Sequence, residues 1–336
     1  MDASAKAASS TEEQMCNGYL QYRTAQFLLM LEEATRIGLL EYLRVPRTFE
    51  KIAEHFHFVR GLKGLEGVLT ALAWFGIVDR EIHGNHEEAY RLRPNQLPPK
   101  VDSNLLSVAV GANGIDSLKQ IAAFSRVFSY MRSDDAGVKF DASNEALWEE
   151  FLEYPYYAFG RERAVQYISA PGASVLDLGA GLGHGTASIA AIVGPKGRAV
   201  AVESSLDFVK SAEARLAALP QAEVVYMDMQ KGLASKFGKD TFDGAMFIGA
   251  FHYVDDKRAC LQDLTRVLKH RARLVIGNTC TRNGALDEGM LLFGTAMIDP
   301  PAYSLPPEQL RAMFRETGFH INQKPVFSAG RSRYRC

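Results

Sequence analysis

The stretch VLDLGAGLGHG, residues 175–185, sets a carboxylate, Asp177, inside an apolar run that leads into alternating glycines. SVLDLGA has the composition of a strand buried on both faces, and TASIAAIV, residues 186–193, has the pattern of a helix. We therefore expect the glycines at the carboxyl end of a first strand. Open α/β sheets bind their ligands at that edge.

The spacing of the glycines narrows the choice of ligand. A Walker phosphate loop is excluded because no GKS or GKT follows, and a dinucleotide fingerprint needs glycine where this chain has His184. The motif that remains is DxGxGxG, formed by Asp177, Gly179, Gly181 and Gly183. Glycines here let the backbone approach a compact amino-acid moiety rather than a pyrophosphate.

Two more acids stand at the ends of predicted strands. Glu203 ends RAVAVE, and Asp228 ends VVYMD. The first carboxylate can accept hydrogen bonds from both hydroxyls of a ribose, and the second can accept from the exocyclic amine of adenine. Tyr226, Met227 and Met229 could sandwich a purine. Together these residues outline a nucleoside that carries an amino acid.

From residue 174 onward, strand and helix patterns alternate, which indicates an α/β fold with a parallel sheet and crossover helices. The extended segments are SVLDLGA, GRAVAVE, AEVVYMD, FDGAMFIGA and RLVIGNT.

The part of the chain between residues 19 and 95 predicts helices followed by a hairpin, the order of a winged-helix unit. Thr48 is a plausible N-cap of the helix RTFEKIAEHF, and VDREI and AYRLRP flank a polar turn. DNA recognition is disfavoured, because the helix near residues 61–75 is mostly apolar and the net charge is −1. The apolar segment 27–43 suits burial against a partner subunit or in this domain's own core.

Composition limits the remaining classes. The four cysteines lack CxxC spacing, which predicts reduced thiols without a disulfide frame or a zinc site. The first residues are polar and predict a tail without a signal peptide, and no apolar run approaches about 18 residues. We therefore expect a cytoplasmic protein without metal, nucleic-acid or membrane partners.

These motifs resemble those of the class I S-adenosylmethionine-dependent methyltransferases, over residues 170–336. FIGAFHYVDD and LQDLTRVLKHRARLVI are similar to the family's fourth strand, helix and fifth strand, with KHRARL replacing the usual proline-glycine-glycine turn. The resemblance implies a Rossmann-like seven-stranded sheet with a final antiparallel hairpin within residues 320–336. The N-terminal part resembles the winged-helix dimerisation domain of small-molecule O-methyltransferases.

We accordingly divide the chain at a proline-rich break, residues 94–100. The expected parts are a flexible tail (1–14), a winged-helix-like dimerisation domain (15–97), a helical linker and active-site cover (98–169) and the S-adenosylmethionine-binding domain (170–336).

The resemblance also implies the residues that contact the cofactor. They are Asp177, Gly179, Gly181, Gly183, Glu203, Ser204, Asp228, Met229, Ile248 and Gly249.

An oxygen acceptor must lose a proton, and His252 is the candidate catalytic base. Its position resembles the histidine of the HDWxD motif in plant-type O-methyltransferases, although HYVDD lacks that motif's first aspartate and its tryptophan. Alternatively, His252 could line the acceptor pocket or have a structural role.

Further acceptor contacts are predicted from aromatic and cationic residues. Tyr154 and Tyr157 lie just ahead of the cofactor domain and could face a cation, or could serve core packing. Arg282 could clamp an acceptor carboxylate, or could be a solvated surface residue. The insert 283–305, with Phe293, Met297 and Tyr303, is expected to close over the acceptor.

The sequence thus predicts a homodimeric methyltransferase of small-molecule biosynthesis, with oxygen as the leading acceptor. The alternatives are S-methylation of a thioether acid, as in methylthiohydroxybutyrate S-methyltransferases toward dimethylsulfoniopropionate, and an enzyme that binds the cofactor without transferring methyl. A winged-helix regulator is a fourth class, which the neutral charge balance disfavours.

Overall fold

The computed structural model describes residues 22–83, 87–94, 126–277, 286–299, 302 and 305–321. Contacts divide the chain into two compact units. The helical unit comprises, of the described residues, those up to 139 together with 286–299 and 302. The sheet unit comprises residues 140–277 and 305–321.

The elements follow the chain from the helical unit into the sheet unit. Up to residue 139 they are α1 (22–36), α2 (Leu39–Tyr42), β1 (Arg47–Thr48), α3 (Phe49–His55), α4 (Leu62–Trp74), β2 (Val78–His83), β3 (Glu87–Leu92), α5 (Val127–Met131) and β4 (Val138–Lys139). Beyond it they are a 3₁₀ turn (Ala142–Asn144), α6 (Glu145–Leu152), α7 (Pro155–Ile168), β5 (Ser174–Leu178), α8 (His184–Val193), β6 (Arg198–Glu203), α9 (Leu206–Leu216), β7 (Ala222–Tyr226), α10 (Leu233–Phe237), β8 (Phe242–Ile248), a 3₁₀ turn (Phe251–Tyr253), α11 (Lys257–Val267), β9 (Leu268–Gly277), α12 (Leu286–Thr295), β10 (Ile298–Asp299) and α13 (Pro307–Glu316).

The sheet unit is built on five parallel strands in the order β7-β6-β5-β8-β9. Strands β5 and β6 are almost continuously buried, as expected where helices cover both faces of a sheet. Two apolar clusters form the core, one containing Leu176 and Phe247 and the other Val175 and Met246. Neighbouring residues of one strand thus face opposite layers.

All five predicted extended segments form strands, so the expectation of a parallel α/β sheet is confirmed. The strand order reverses beside β5, and the glycine run follows its carboxyl end. The predicted closing hairpin falls almost entirely outside the described residues.

The connection at KHRARL differs from the expected turn. Residues 268–277 form a single strand, β9, and its register with β8 shifts between Phe242 and Gly244. Arg271 takes a positive φ of 64° in this irregular stretch. An irregular stretch within one strand therefore lies where we expected a connecting turn.

The helical unit contains the predicted helices and hairpin. Thr48 caps α3, since its hydroxyl accepts a hydrogen bond from the Lys51 amide at 3.4 Å. Strands β1, β3 and β2 form an antiparallel sheet. Met30, Leu40 and Leu43 are almost completely buried by the chain itself, which favours a core role for segment 27–43.

Part of the insert after β9 lies in the helical unit, and its expected closure over the acceptor stays a prediction. Helix α12 belongs to the helical unit, and Phe293 and Met297 are buried in it. The ring of Phe293 lies 5.8 Å from that of Phe128. Both side chains are therefore part of a packed core, and Tyr303 lies outside the described residues. No helix in the described part of the chain is long and apolar enough to cross a membrane.

Candidate cofactor site

The glycine loop begins where β5 ends. Asp177 is buried in that strand, and its Oδ2 accepts a hydrogen bond from the Thr186 hydroxyl of α8 at 2.7 Å. Gly179, Gly181 and Gly183 all take a positive φ, of 67°, 56° and 84°. Other residues adopt such angles rarely, so the alternating glycines are required by the path of the loop.

The environment of Asp177 is unfavourable for a charge. Burial raises its pKa from 3.8 to about 6, although the hydrogen bond from Thr186 and the nearby Arg161 guanidinium oppose the rise. Glu203 adds a like charge that raises the pKa further. A buried carboxyl in this state favours the approach of a cationic ligand group.

Glu203 ties the second strand to the glycine loop. Its Oε2 accepts a hydrogen bond from the Gly181 amide at 2.8 Å, and its Oε1 accepts from the Ser204 and Ser205 amides, each at 2.8 Å. Burial raises the pKa of Glu203, and the three amides oppose that rise. The carboxylate is thereby fixed at the edge of the sheet beside the loop.

Asp228 follows β7 and is more open to solvent. Its Oδ1 accepts from the Gln230 amide at 3.0 Å, and its Oδ2 lies 3.0 Å from the Lys231 ammonium. Burial acts to raise the pKa of Asp228, but these two partners outweigh it and hold the pKa below its ordinary value. Met227 and Met229 pack half-buried against the core, whereas Tyr226 is exposed.

A tyrosine covers the end of β8. The Tyr157 hydroxyl donates to the Ile248 carbonyl at 2.9 Å, and burial raises the pKa of that hydroxyl well above its ordinary range. Gly249 has a φ of 66°, and a Cβ there would lie 1.8 Å from the Tyr157 hydroxyl. Glycine is therefore required beneath this ring.

Tyr154 lies at the start of the same helix. It is buried and packs edge-on against Tyr156, with ring centroids 4.9 Å apart. Burial raises the pKa of its hydroxyl. A tyrosine cluster thus exists ahead of the first strand, as the sequence indicated.

His252 occupies the 3₁₀ turn after β8 and is buried. Its ring lies 4.2 Å from that of Tyr253, whose hydroxyl pKa is raised by burial. Phe140 packs edge-on against Tyr253 at 5.1 Å. Arg282, the other predicted acceptor contact, lies outside the described residues.

Arg161 is a site residue that the sequence analysis missed. Its guanidinium is 7% exposed and lines a cavity of about 30 Å³ at the glycine loop. Nη1 donates to the Leu152 carbonyl and Nη2 to Glu153, each at 2.7 Å. The buried Nε makes no hydrogen bond and lies 3.7 Å from Oε1 of Glu162. The available signal was that Arg161 shares the buried face of α7 with the apolar residues Ala164, Val165 and Ile168.

The donors and acceptors of this edge fit an S-adenosylmethionine molecule. Glu203 and Asp228 present carboxylates to hydroxyl and amine donors, and the unbonded Nε of Arg161 presents a donor to a carboxylate. Gly181 leaves open space, since a Cβ there would meet only Leu152, at 3.6 Å. In the described residues no group of three or more metal-ligating side chains is present.

Comparison with known proteins agrees with this geometry. A family model described as a methyltransferase domain matches residues 175–271, from the first strand to the bulge in β9. This part of the chain is therefore similar to methyltransferase domains. Such domains use S-adenosylmethionine as the methyl donor.

Curated relatives match about half of the chain. The chain is 30% identical to O-methyltransferase resE of Aspergillus sclerotiorum over 52% of this chain and 64% of that protein. It is 28% identical to O-methyltransferase cnsE of Penicillium expansum over 48% of this chain and 57% of that protein. The chain thus spans less than two thirds of the length of these relatives.

Several solved structures resemble nearly the whole chain. The CurJ carbon methyltransferase superposes with a TM-score of 0.71 over 94% of this chain and 90% of that chain, at 15% identity. This likeness concerns the fold. It extends beyond the methyltransferase domain to both units.

Proposed function

We propose that this protein transfers the methyl group of S-adenosylmethionine to a small-molecule acceptor, with oxygen as the leading acceptor atom. The observation that carries the proposal is the joining of the glycine loop to Glu203 through the Gly181 amide, beside buried Asp177. The relatives named O-methyltransferase support the choice of oxygen.

The residues at the sheet edge have distinct proposed roles. Glu203 accepts from the ribose hydroxyls, Asp228 from the adenine amine, and Arg161 donates to the amino-acid carboxylate. Asp177 faces the positive part of the ligand, where a cation would offset the cost of its buried charge. The remaining proposed contacts are Gly179, Gly181, Gly183, Ser204, Met229, Ile248 and Gly249.

When bound, the cofactor supplies a methyl group already activated on a sulfonium. The protein then has to align the acceptor and exclude water. Tyr154 and Tyr157 offer aromatic faces that suit a cationic neighbour. His252, buried after β8, is the proposed base for an acceptor hydroxyl, and Arg282 is proposed to hold an acceptor carboxylate.

Carbon is the second candidate acceptor, because the fold likeness over nearly the whole chain is to a carbon methyltransferase. A thioether sulfur remains an alternative, as does a protein that binds the cofactor without methyl transfer. Methylation of carbon or oxygen requires removal of a proton, whereas methylation of a thioether does not. The identity of the acceptor atom therefore decides whether His252 has a proton to accept.

The experiment is a turnover screen with ¹³C-methyl S-adenosylmethionine against phenols, β-dicarbonyl compounds and thioethers. The carbon chemical shift of the labelled methyl separates O-, C- and S-methyl products. For an oxygen or carbon acceptor, we expect His252→Ala to lower kcat by about 100-fold or more. Product from thioethers alone, unaffected by His252→Ala, contradicts oxygen transfer, and binding without any product supports the non-methylating alternative.

We further propose that the N-terminal unit is a winged-helix dimerisation domain and that the protein is a cytoplasmic homodimer. The aromatic pair Trp74 and Phe75 is 54% and 44% exposed at the end of α4, the kind of surface that a second subunit covers. Light scattering of the purified protein measures its oligomeric state directly. A monomer at micromolar concentration would contradict the proposed homodimer.

A further inference from the structure

Helix α6 is attached to the sheet unit without burying any side chain. Its residues Glu145–Leu152 are half-buried or exposed. The next helix, α7, buries Ala164, Val165 and Ile168 against the sheet. Helices with few buried apolar contacts open at low free-energy cost, so α6 can lift while α7 stays in place.

Polar contacts hold α6 down, and they centre on His184. Nε2 of His184 lies 3.0 Å from Glu149 Oε2, and Nδ1 lies 3.0 Å from Glu153 Oε1. Arg215 of α9 donates to both oxygens of Glu149 at 2.8 Å, and Arg161 donates to Glu153 at 2.7 Å. His184 is the first residue of α8, so the same imidazole marks the end of the glycine loop.

The space beneath α6 is small. The cavity at the glycine loop measures about 30 Å³, room for about two water molecules. Sites for small molecules measure roughly 300–1,000 Å³. The residues that line this cavity include Leu152 at the end of α6, Arg161, Asp177, Gly181 and His184. The amino-acid end of a ligand would need more space than this cavity offers.

We propose that α6 is a lid over the amino-acid end of the cofactor site and that His184 is its latch, a positioning residue that sets how fast the cofactor enters and leaves. This inference rests on the proposed function. It gives a role to the one position where the loop departs from a dinucleotide fingerprint.

The two tryptophans of the chain supply the assay. Trp148 lies within α6 and stacks on Phe140 at 4.7 Å, and the other tryptophan is Trp74. In a Trp74→Phe background, stopped-flow fluorescence of Trp148 reports lid movement as S-adenosylmethionine binds or is displaced by excess S-adenosylhomocysteine. Hydrogen exchange of the α6 amides in the cofactor-free protein is the second readout.

The variant is His184→Ala, in which Glu149 keeps Arg215 and Glu153 keeps Arg161. The matched control is Ser188→Ala on the same helix. The Ser188 hydroxyl donates a hydrogen bond to Glu162 of α7 at 2.7 Å and makes none to α6. A Glu149→Gln/Glu153→Gln double variant loosens the latch from the lid side, should His184→Ala fold poorly. Thermal unfolding reports the folding of each variant.

We expect His184→Ala to raise the cofactor release rate by about tenfold or more and to speed exchange in α6, with Ser188→Ala within twofold of wild type. Unchanged release and exchange in folded His184→Ala, or in the double variant, overturns the latch. If the wild type binds no cofactor, the proposed function fails, and α6 exchange alone then decides the latch.

Discussion

Asp177 is 3% exposed, and burial raises its pKa from 3.8 to about 6. At neutral pH the folded protein therefore holds an ionised carboxylate in a place that favours its neutral form. An ionised buried carboxylate lowers the stability of the fold, and functional sites often contain such destabilising groups because binding requires them. The cost belongs to this single side chain and depends on pH.

Asp177→Asn is expected to stabilise the cofactor-free protein above pH 6. A carboxyl whose pKa is raised on folding stabilises the fold fully below pH 3.8 and loses that contribution as the pH rises through about 6. The gain in free energy of unfolding should reach up to about 3 kcal/mol at pH 8 and vanish near pH 4. Urea unfolding at both pH values tests this, and a variant less stable at pH 8 refutes the assignment.

Arg161 is expected to recognise the amino-acid end of the ligand. Arg161→Lys should weaken S-adenosylhomocysteine binding about tenfold or more, but should leave 5′-methylthioadenosine, which lacks the amino acid, within about twofold. Arg163→Lys, two residues further along the same helix, is the control. Calorimetry measures the affinity of each variant for both ligands. An equal loss of affinity for both would show that Arg161 does not contact the carboxylate of the amino-acid end.

Among elements, α4 and α12 of the helical unit approach each other closely at two glycines. A Cβ on Gly67 would lie 2.5 Å from the Gly289 carbonyl oxygen and 2.6 Å from the Phe293 amide nitrogen. Both of these neighbours are backbone, so the two helices would have to separate. The glycines therefore set the distance between the helices.

Gly67→Ala is expected to lower the free energy of unfolding by about 1–3 kcal/mol, even though alanine favours a helix by about 1 kcal/mol. Glu66→Ala, at the neighbouring exposed position, should change it by less than about 0.5 kcal/mol. Urea unfolding of both variants measures the difference. A stabilised Gly67→Ala protein would show that the helices can move apart without cost.

The strands could be predicted from the sequence because each carries a local signal: an apolar run that ends in an acid or a glycine. The cap at Thr48 is equally local. The pairing of α12 with α4 joins residues more than 200 positions apart, and no single-segment pattern contains it. The bulge in β9 could not be predicted for a related reason, because the register of a strand depends on its partner strand.

The candidate site likewise combines features that the sequence predicts with features that depend on tertiary contacts. The carboxylates and glycines were visible as motifs at strand ends, but the hydrogen bond from Gly181 to Glu203 depends on the parallel pairing of β5 and β6. Arg161 and His184 act through side-chain contacts between helices, which spacing alone does not encode.

For the whole molecule, the residues at the sheet edge support the proposed cofactor more directly than they support the proposed acceptor. Glu203 ends β6, Asp228 follows the neighbouring β7, and the glycine loop follows β5. Residues proposed to contact the acceptor are scattered among other segments, and Arg282 lies outside the described part. The central claim is therefore that this edge binds S-adenosylmethionine.

Equilibrium dialysis with radiolabelled S-adenosylmethionine tests that claim most directly. We predict saturable binding of one molecule per chain, weakened about tenfold or more by Glu203→Gln. Glu223→Gln, which alters an exposed carboxylate paired with Arg198 at 2.7 Å, should bind like the wild type. Absence of saturable binding, or equal affinity in all three proteins, would contradict the account.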